Sequence, residues 1–70
     1  MHVAAKAQSN PLNLPVGAIK TFGPVGPAYE VLRPICQLKD GDWMMAIRVL
    51  ASGEEAEYKL TDILEDPEAD

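Results

Sequence analysis

Few side chains in this sequence could act as a nucleophile, a base or a metal ligand. The chain has one histidine, His2, one cysteine, Cys36, and two serines, Ser9 and Ser52. A catalytic serine needs a base beside it, and a reactive thiol needs a cationic neighbour that lowers its pKa. No such partner is placed near these residues. The sequence therefore predicts no catalytic residue, no metal and no cofactor, with Cys36 as a buried inert thiol and Ser52 as a turn residue.

The other candidates are acidic side chains near the C-terminus. Residues 54–70 hold eight Asp or Glu against Lys59, a net of −7, and residues 1–53 hold five Lys or Arg against three acids, a net of +2; together they give the chain's −5. Their spacing matches no cation-binding loop. They form either a solvated face or a docking surface for a basic protein. The acids predicted to be free, where the last strand meets a helical turn, are Glu54, Glu55, Asp62, Glu65 and Asp66.

The stretch that must position these acids runs from Tyr29 to Leu60. Two turn signals, Asp40-Gly41 and Ser52-Gly53, separate three apolar-rich runs, which predicts three antiparallel strands. Asp-Gly is typical of a two-residue type I′ turn. With Val16–Phe22 as a first strand, irregular or bulged at Gly17, the sequence predicts the all-β class. We expect a small, strongly bent antiparallel sheet, with closure into an SH3-like barrel left open.

The register of this sheet follows from the turns. Centring both turns on their Gly-containing pairs predicts that Cys36 faces Met45 and Ile47 faces Tyr58 on one apolar face. Trp43 falls on the same face and is interpreted as core. The second face is predicted to pair Arg48 with Glu57. Its apolar side chains are a second candidate for contacting a partner or another copy: Ile35, Met44 and Leu50.

The remaining segments are interpreted from their loop-forming residues. Residues 1–15 are predicted to be a flexible arm, from which Leu12 and Leu14 could dock on the domain or on a partner, and residues 16–66 are the β domain. Pro34 makes its strand an edge, a bend or a bulge there. Asp62 and Glu65 have capping-box spacing, which predicts a short helical turn. Residues 67–70 are an acidic tail.

Composition narrows the classes of protein. Seventy residues make one domain, and no apolar run approaches the roughly 20 residues of a membrane span. A net charge of −5 disfavours direct binding to nucleic acid. One cysteine excludes an internal disulfide, and the N-terminus has no apolar signal-peptide core, so we expect a cytoplasmic protein.

Several short motifs are shared with a known group of proteins. The runs Lys20-Thr-Phe-Gly-Pro-Val-Gly-Pro-Ala-Tyr-Glu-Val-Leu, Asp40-Gly-Asp-Trp, Gly53-Glu-Glu-Ala-Glu-Tyr and Leu64-Glu-Asp-Pro-Glu-Ala together resemble a family of short bacterial proteins of unknown function. The resemblance covers residues 17–69. It implies a bacterial, cytoplasmic, stand-alone small protein and brings no activity with it.

Two related functions fit this sequence better than an enzyme does. The first is a non-catalytic, regulatory protein-interaction module that uses the acidic C-terminal third or the second sheet face. The second is an acidic inhibitor, of the antitoxin or phage anti-defence kind, that blocks a basic nucleic-acid-binding surface. A protein partner with a basic surface is expected in both, and a homodimer is left open.

Overall fold

The backbone forms one antiparallel sheet followed by a short helix. A computed structural model describes residues 13–69. Its elements in chain order are β1 (Ile19–Thr21), β2 (Ala28–Gln37), β3 (Trp43–Val49), β4 (Glu55–Lys59) and α1 (Leu60–Glu65). The strands lie in the order β1-β2-β3-β4. The predicted all-β class with one short C-terminal helix is confirmed.

The end of the chain returns to the first strand. After α1, the Thr21 N–H donates to the Pro67 carbonyl at 3.0 Å and the Ala69 N–H donates to the Ile19 carbonyl at 2.9 Å. An isolated antiparallel bridge joins Lys20 to Glu68. The outer side of β1 is thus covered, which leaves β4 as the other outer strand of the sheet.

Strand β2 is bulged twice around its proline. The register shifts between Val31 and Arg33 and again between Pro34 and Cys36, so the predicted bend or bulge at Pro34 is confirmed. Cys36 lies on the hairpin side of both shifts and opposite Met44, so the predicted pairing with Met45 is wrong. The prediction of a buried thiol is also wrong, because Cys36 is exposed.

The first hairpin contains a three-residue loop rather than a type I′ turn. The Gly41 N–H donates to the Leu38 carbonyl at 3.0 Å, and the Leu38 N–H donates to the Asp42 carbonyl at 2.8 Å. Gly41 has φ +91°, whereas Asp40 is not among the non-glycine residues with positive φ. A type I′ turn needs positive φ at both central positions. Glycine here occupies the single left-handed position of a turn followed by a bulge.

We expect Gly41→Val to destabilise the protein by about 1–2 kcal/mol, because a β-branched side chain is strained in the left-handed region. Ser52→Ala, in the other hairpin, should cost a few tenths of a kcal/mol, since it removes only the exposed bond from the Glu54 N–H to the Ser52 hydroxyl. Urea unfolding of both variants measures the difference. Equal unfolding midpoints would contradict the assigned backbone strain.

The second hairpin has a four-residue loop, residues 50–53, closed by a bond from the Val49 N–H to the Glu54 carbonyl at 2.8 Å. The longer loop moves the register by two positions, so Ile47 faces Ala56 and Met45 faces Tyr58. The predicted direct pair of Ile47 with Tyr58 is wrong. Side chains alternate with a period of two, so Tyr58 nevertheless stays on the core face.

The core lies on one side of the sheet, under α1 and the start of the described chain. Ile63 is fully buried there, and Leu14, from the predicted arm, is buried as well. Residues 1–12, the rest of that arm with His2 and Ser9, lie outside the described residues. Trp43 and Tyr58 pack against the core as predicted. The buried core residues are Leu14, Tyr29, Val31, Met45, Ile47 and Ile63.

Helix α1 is capped from another element. It begins at Leu60, and the residue before it makes no side-chain cap bond, so the predicted capping box of Asp62 and Glu65 is wrong. Instead the Asp42 carboxylate accepts from the Thr61 N–H at 3.2 Å and from the Thr61 hydroxyl at 2.9 Å. Asp42 also accepts from the Trp43 N–H at 2.7 Å. The first hairpin therefore supplies the helix cap.

Candidate interaction surface

The carboxylate of Asp66 accepts three hydrogen bonds, each from a different part of the fold. Its Oδ2 accepts from the Tyr29 hydroxyl at 2.7 Å and from the Tyr58 hydroxyl at 3.1 Å, and its Oδ1 accepts from the Gly23 N–H at 3.2 Å. The prediction that this carboxylate is free within the fold is wrong. Asp66 ties the end of α1 to β2, β4 and the loop after β1.

Three aromatic rings surround this carboxylate. The ring centroids of Phe22 and Tyr29 are 4.4 Å apart, those of Phe22 and Tyr58 are 5.3 Å apart, and those of Tyr29 and Tyr58 are 5.5 Å apart. The last two pairs are edge-on, an arrangement that contributes about 0.5–1.5 kcal/mol per pair beyond area burial. Tyr29 has no exposed surface. The three rings therefore pack against one another, and two of them also donate hydrogen bonds to Asp66.

At neutral pH the surroundings keep Asp66 ionised and keep Tyr29 and Tyr58 protonated. Burial and the hydrogen bond to Asp66 raise the pKa of Tyr29, and the same two causes raise the pKa of Tyr58. Burial alone would raise the pKa of Asp66, but bonds from Tyr29, Gly23 and Tyr58 and the charge of Lys20 outweigh it and leave that pKa lowered. Two neutral phenols donating to one carboxylate stabilise the fold, and they are poorly suited to proton transfer near pH 7.

These pKa shifts predict that the stability of the fold decreases at both ends of the pH range, along an acid limb and an alkaline limb. Asp66 has a folded pKa below its unfolded value of 3.8, so its contribution is complete above about pH 4 and is lost as pH falls through the folded pKa. Tyr29 has a folded pKa above its unfolded value of 10.0, so its contribution is complete below about pH 10 and is lost as pH rises further.

Urea midpoints measured from pH 3 to pH 11 test this profile. Asp66→Asn should flatten the acid limb, and Tyr29→Phe should flatten the alkaline limb. Asp62→Asn is the matched control, because the Asp62 carboxylate makes no hydrogen bond or ion pair within residues 13–69. An acid limb that is equally steep in wild type and Asp66→Asn would contradict the assignment.

The predicted acidic end is divided into two groups in the structure. Glu54 and Glu55 lie at the hairpin end of β4, whereas Asp62 and Glu65 lie on α1, beyond its other end. At about 3.4 Å per residue, Glu55 and Lys59 are roughly 13 Å apart. All four acids are exposed. The acids therefore line the side of the molecule formed by β4 and α1 rather than cluster at one end.

The ion pairs of the outer sheet face also differ from those predicted. Arg48 pairs with Glu30, with 3.6 Å between Nη2 and Oε1, and Arg33 pairs with Glu55, with 3.5 Å between the same atoms. The prediction that Glu55 is free is therefore wrong. The predicted Arg48–Glu57 pair is wrong, because Glu57 lies opposite Ala46. Both observed pairs are largely exposed and contribute at most about 1 kcal/mol each. Glu57 makes no ion pair in the described part of the chain and is available to a partner.

The apolar candidates do not form one patch. Ile35 lines a shallow groove with Arg33 and Ala46, and Met44 shares that face because it lies two residues before Ala46 in β3. Leu50 lies just past the other end of β3, roughly 20 Å from Met44 at strand spacing. It is 48% exposed and Ile35 is 44% exposed. Ile35 and Met44 remain candidates together, and Leu50 stands apart.

Strand β4 adds a feature that the sequence prediction missed, a row of outward-facing backbone groups. The bond from Val49 N–H to the Glu54 carbonyl makes residues 49 and 54 a hydrogen-bonded pair. Alternation along the register then turns the backbone groups of Glu55, Glu57 and Lys59 away from β3. The high charge of β4 could have indicated this feature in the sequence, because charged side chains are typical of the edge strand of a sheet.

Residues 13–69 contain no group of three or more His, Cys, Asp or Glu side chains placed to hold a metal ion. No helix within these residues has the length and apolar character needed to cross a bilayer.

Fold and surface together define a small antiparallel β protein with an acidic outer strand. The model of a family of unknown function, DUF5397, matches residues 4–70, and the chain belongs to that family. An uncharacterized protein of Haemophilus influenzae is 46% identical over 57 residues, which cover 81% of this chain and 90% of the relative. The resemblance to short bacterial proteins of unknown function is confirmed.

Proposed function

We propose that this protein is a non-catalytic protein-interaction module that binds a partner with a basic surface. The observation that carries the proposal is the exposed acidic side formed by β4 and α1, with Glu54, Glu57, Asp62 and Glu65. None of these four forms an ion pair within residues 13–69. A concentrated negative field steers a positively charged protein into contact and repels free nucleic acid.

The proposed architecture behind this function is SH3-like. A strand, an irregular loop, a three-stranded meander, a short helix and a closing segment against β1 follow one another in the order typical of such barrels. The bonds from residues 67 and 69 to β1 support that closure. SH3 domains bind extended, proline-rich segments of other proteins, so a barrel of this kind can serve as a scaffold for protein interaction.

The cytoplasm is the proposed location. Cys36 is an exposed free thiol. A reducing compartment keeps such a thiol from forming mixed disulfides. An exposed cysteine would be a liability in an oxidising compartment, where it would crosslink copies of the chain.

A more specific alternative is an acidic inhibitor that occupies a basic nucleic-acid-binding surface. The net charge of −7 over residues 54–70 favours it, because a strongly acidic surface can replace a phosphate backbone. Displacement of nucleic acid from the captured partner would distinguish this alternative from a module that leaves the partner's nucleic acid in place.

Affinity capture from the native cytosol tests the proposed function. The triple variant Glu54→Lys, Glu55→Lys and Glu65→Lys should lose a basic protein that the wild type retains, and raising the salt concentration should weaken the wild-type capture. The matched control is Glu30→Lys, Asp40→Lys and Glu68→Lys, which makes the same change in net charge and, like the triple variant, breaks one ion pair. Loss of the partner in both variants, or in neither, would contradict the proposal.

A further inference from the structure

We infer that the outer edge of β4 binds an extended, basic segment of the partner protein as an additional antiparallel strand. This inference rests on the proposed function and names the site and the form of the ligand. Its basis is that unpaired backbone groups and acidic side chains occur on the same residues of one strand.

The backbone of β4 is open to such pairing. Within residues 13–69, β4 pairs only with β3, whereas β1, at the opposite end of the sheet, is covered by residues 67–69. The outward-facing groups are the N–H and C=O of Glu55 and Glu57 and the N–H of Lys59. The Lys59 carbonyl is used by α1, because Lys59 is the N-cap of that helix. An incoming strand would bond to the outward-facing groups as strands do when a peptide extends a sheet.

The side chains of β4 select the charge of the incoming strand. Residues directly opposite each other in an antiparallel pair have Cβ atoms about 5 Å apart on the same face. Lys or Arg opposite Glu55 and Glu57 would face a carboxylate, and an acid there would be repelled. Arg33 already shares Glu55, so Glu57, at the middle of the strand, is the main determinant of charge.

A groove beside the edge gives room for the long side chains of a basic strand. It has a volume of about 190 Å³ and lies on the outer face of the sheet between the end of β2 and β4. Ala46 is small enough to form its floor, and Ile35 contributes an apolar wall. The aliphatic stem of a lysine can lie on such a surface while its ammonium group stays at a carboxylate. The lining residues are Arg33, Ile35, Ala46, Glu55, Ala56 and Glu57.

A second copy of this chain fits the edge less well. Antiparallel pairing of two β4 strands about their centres would place Glu57 directly opposite Glu57, and only the outer pairs of Glu55 with Lys59 would be complementary. Two chains of net charge −5 also repel each other at long range. A basic segment removes both penalties, because it neutralises Glu57 and lowers the total charge.

Synthetic nine-residue peptides of alternating lysine and threonine test the inference on the wild-type protein. If lysines lie opposite Glu55 and Glu57, their N–H groups point at β4 and the threonine N–H groups point away. Two peptides of equal charge are therefore compared, one N-methylated at its inner lysines and the other at its inner threonines. A glutamate–threonine peptide is the control for charge.

We expect the unmodified and the threonine-methylated peptides to bind and to slow amide exchange at Glu55, Glu57 and Lys59 by about tenfold or more. The lysine-methylated peptide should bind about tenfold more weakly, because its bonds to the strand edge are blocked. Equal binding of the two methylated peptides would overturn strand addition. Protection of β4 amides on raising protein concentration without peptide would overturn it in favour of a second copy.

The two proposals fail in different ways. If the acidic triple variant loses its cytosolic partner but the methylated peptides bind alike, the interaction module stands and strand addition falls. If the triple variant and its charge-matched control capture the same proteins, the proposed function falls, whatever the peptides do.

Discussion

Asp66→Ala is expected to lower the free energy of unfolding by about 3 kcal/mol, because hydrogen bonds to a charged group contribute about 1.5–3 kcal/mol each and a buried donor left without a partner is costly. The variant leaves the hydroxyls of Tyr29 and Tyr58 and the N–H of Gly23 without their acceptor. It also releases the end of α1 from the aromatic cluster. Urea unfolding followed by tryptophan fluorescence measures the loss.

Three comparisons isolate the contribution of this carboxylate. Asp66→Asn retains one acceptor oxygen and should lose less than Asp66→Ala. Asp62→Ala, an exposed acid one turn earlier on the same helix, should change stability by no more than about 0.5 kcal/mol. Combining Tyr29→Phe with Asp66→Ala should cost less than the sum of the two single effects, because both remove the same bond. Fully additive effects would contradict the proposed coupling.

Gly26→Ala is expected to destabilise by about 2 kcal/mol or more, through backbone overlap rather than through lost contacts. A Cβ at Gly26 would overlap the carbonyl oxygen of Phe22 and lie 2.8 Å from its carbonyl carbon. The loop cannot widen freely, since the Phe22 N–H donates to the Pro27 carbonyl at 3.1 Å. Relief of the overlap would displace the Phe22 ring from Tyr29.

Val25→Ala is the matched control for this loop. Val25 immediately precedes Gly26 and is 95% exposed, so its truncation should leave the unfolding midpoint unchanged. A Gly26→Ala variant as stable as Val25→Ala would show that the loop accommodates a side chain. The close approach to Phe22 would then have no energetic consequence.

The hairpins and the core face of the sheet could largely be predicted from the turn residues and from the alternation of side chains along each strand. Gly41 and Gly53 both occupy left-handed positions, and both were indicated by apolar runs on either side of a turn signal. The register could not be predicted as well. Asp-Gly and Ser-Gly each fit more than one loop length, and one additional or missing loop residue moves every pair of the hairpin.

The placement of the cysteine shows how such an error spreads. The three-residue loop of the first hairpin, in place of the predicted two-residue turn, moves Cys36 from opposite Met45 to opposite Met44. Pro34 signalled that the strand is irregular, because proline cannot donate to a neighbouring strand. It did not signal how many bulges the strand contains, and that number decides the pairing of Pro34 and Val31 rather than that of Cys36.

Asp66 was the least predictable of the candidate residues. In the sequence it is one acid among eight, followed by a proline that ends the helix. Its partners Tyr29 and Tyr58 are 37 and 8 residues away, and only the tertiary fold brings their hydroxyls to one carboxylate. By contrast, the exposure of Glu54, Glu55 and Glu65 follows directly from their charge, because unpaired acids are rarely buried.

Site-specific photocrosslinking in living cells is the most direct test of the interaction surface. A photoreactive benzoylphenylalanine replaces Lys59, an exposed residue of β4 on the same face as Glu57, in one strain. It replaces Val25 in the loop after β1, or Asp40 on the first hairpin, in two control strains. We predict a heterologous adduct from position 59 to a protein with a basic segment, and none from positions 25 and 40. An adduct from the control positions alone, or one from position 59 to a second copy of this chain, would contradict the assignment of β4 as the surface that binds a basic partner.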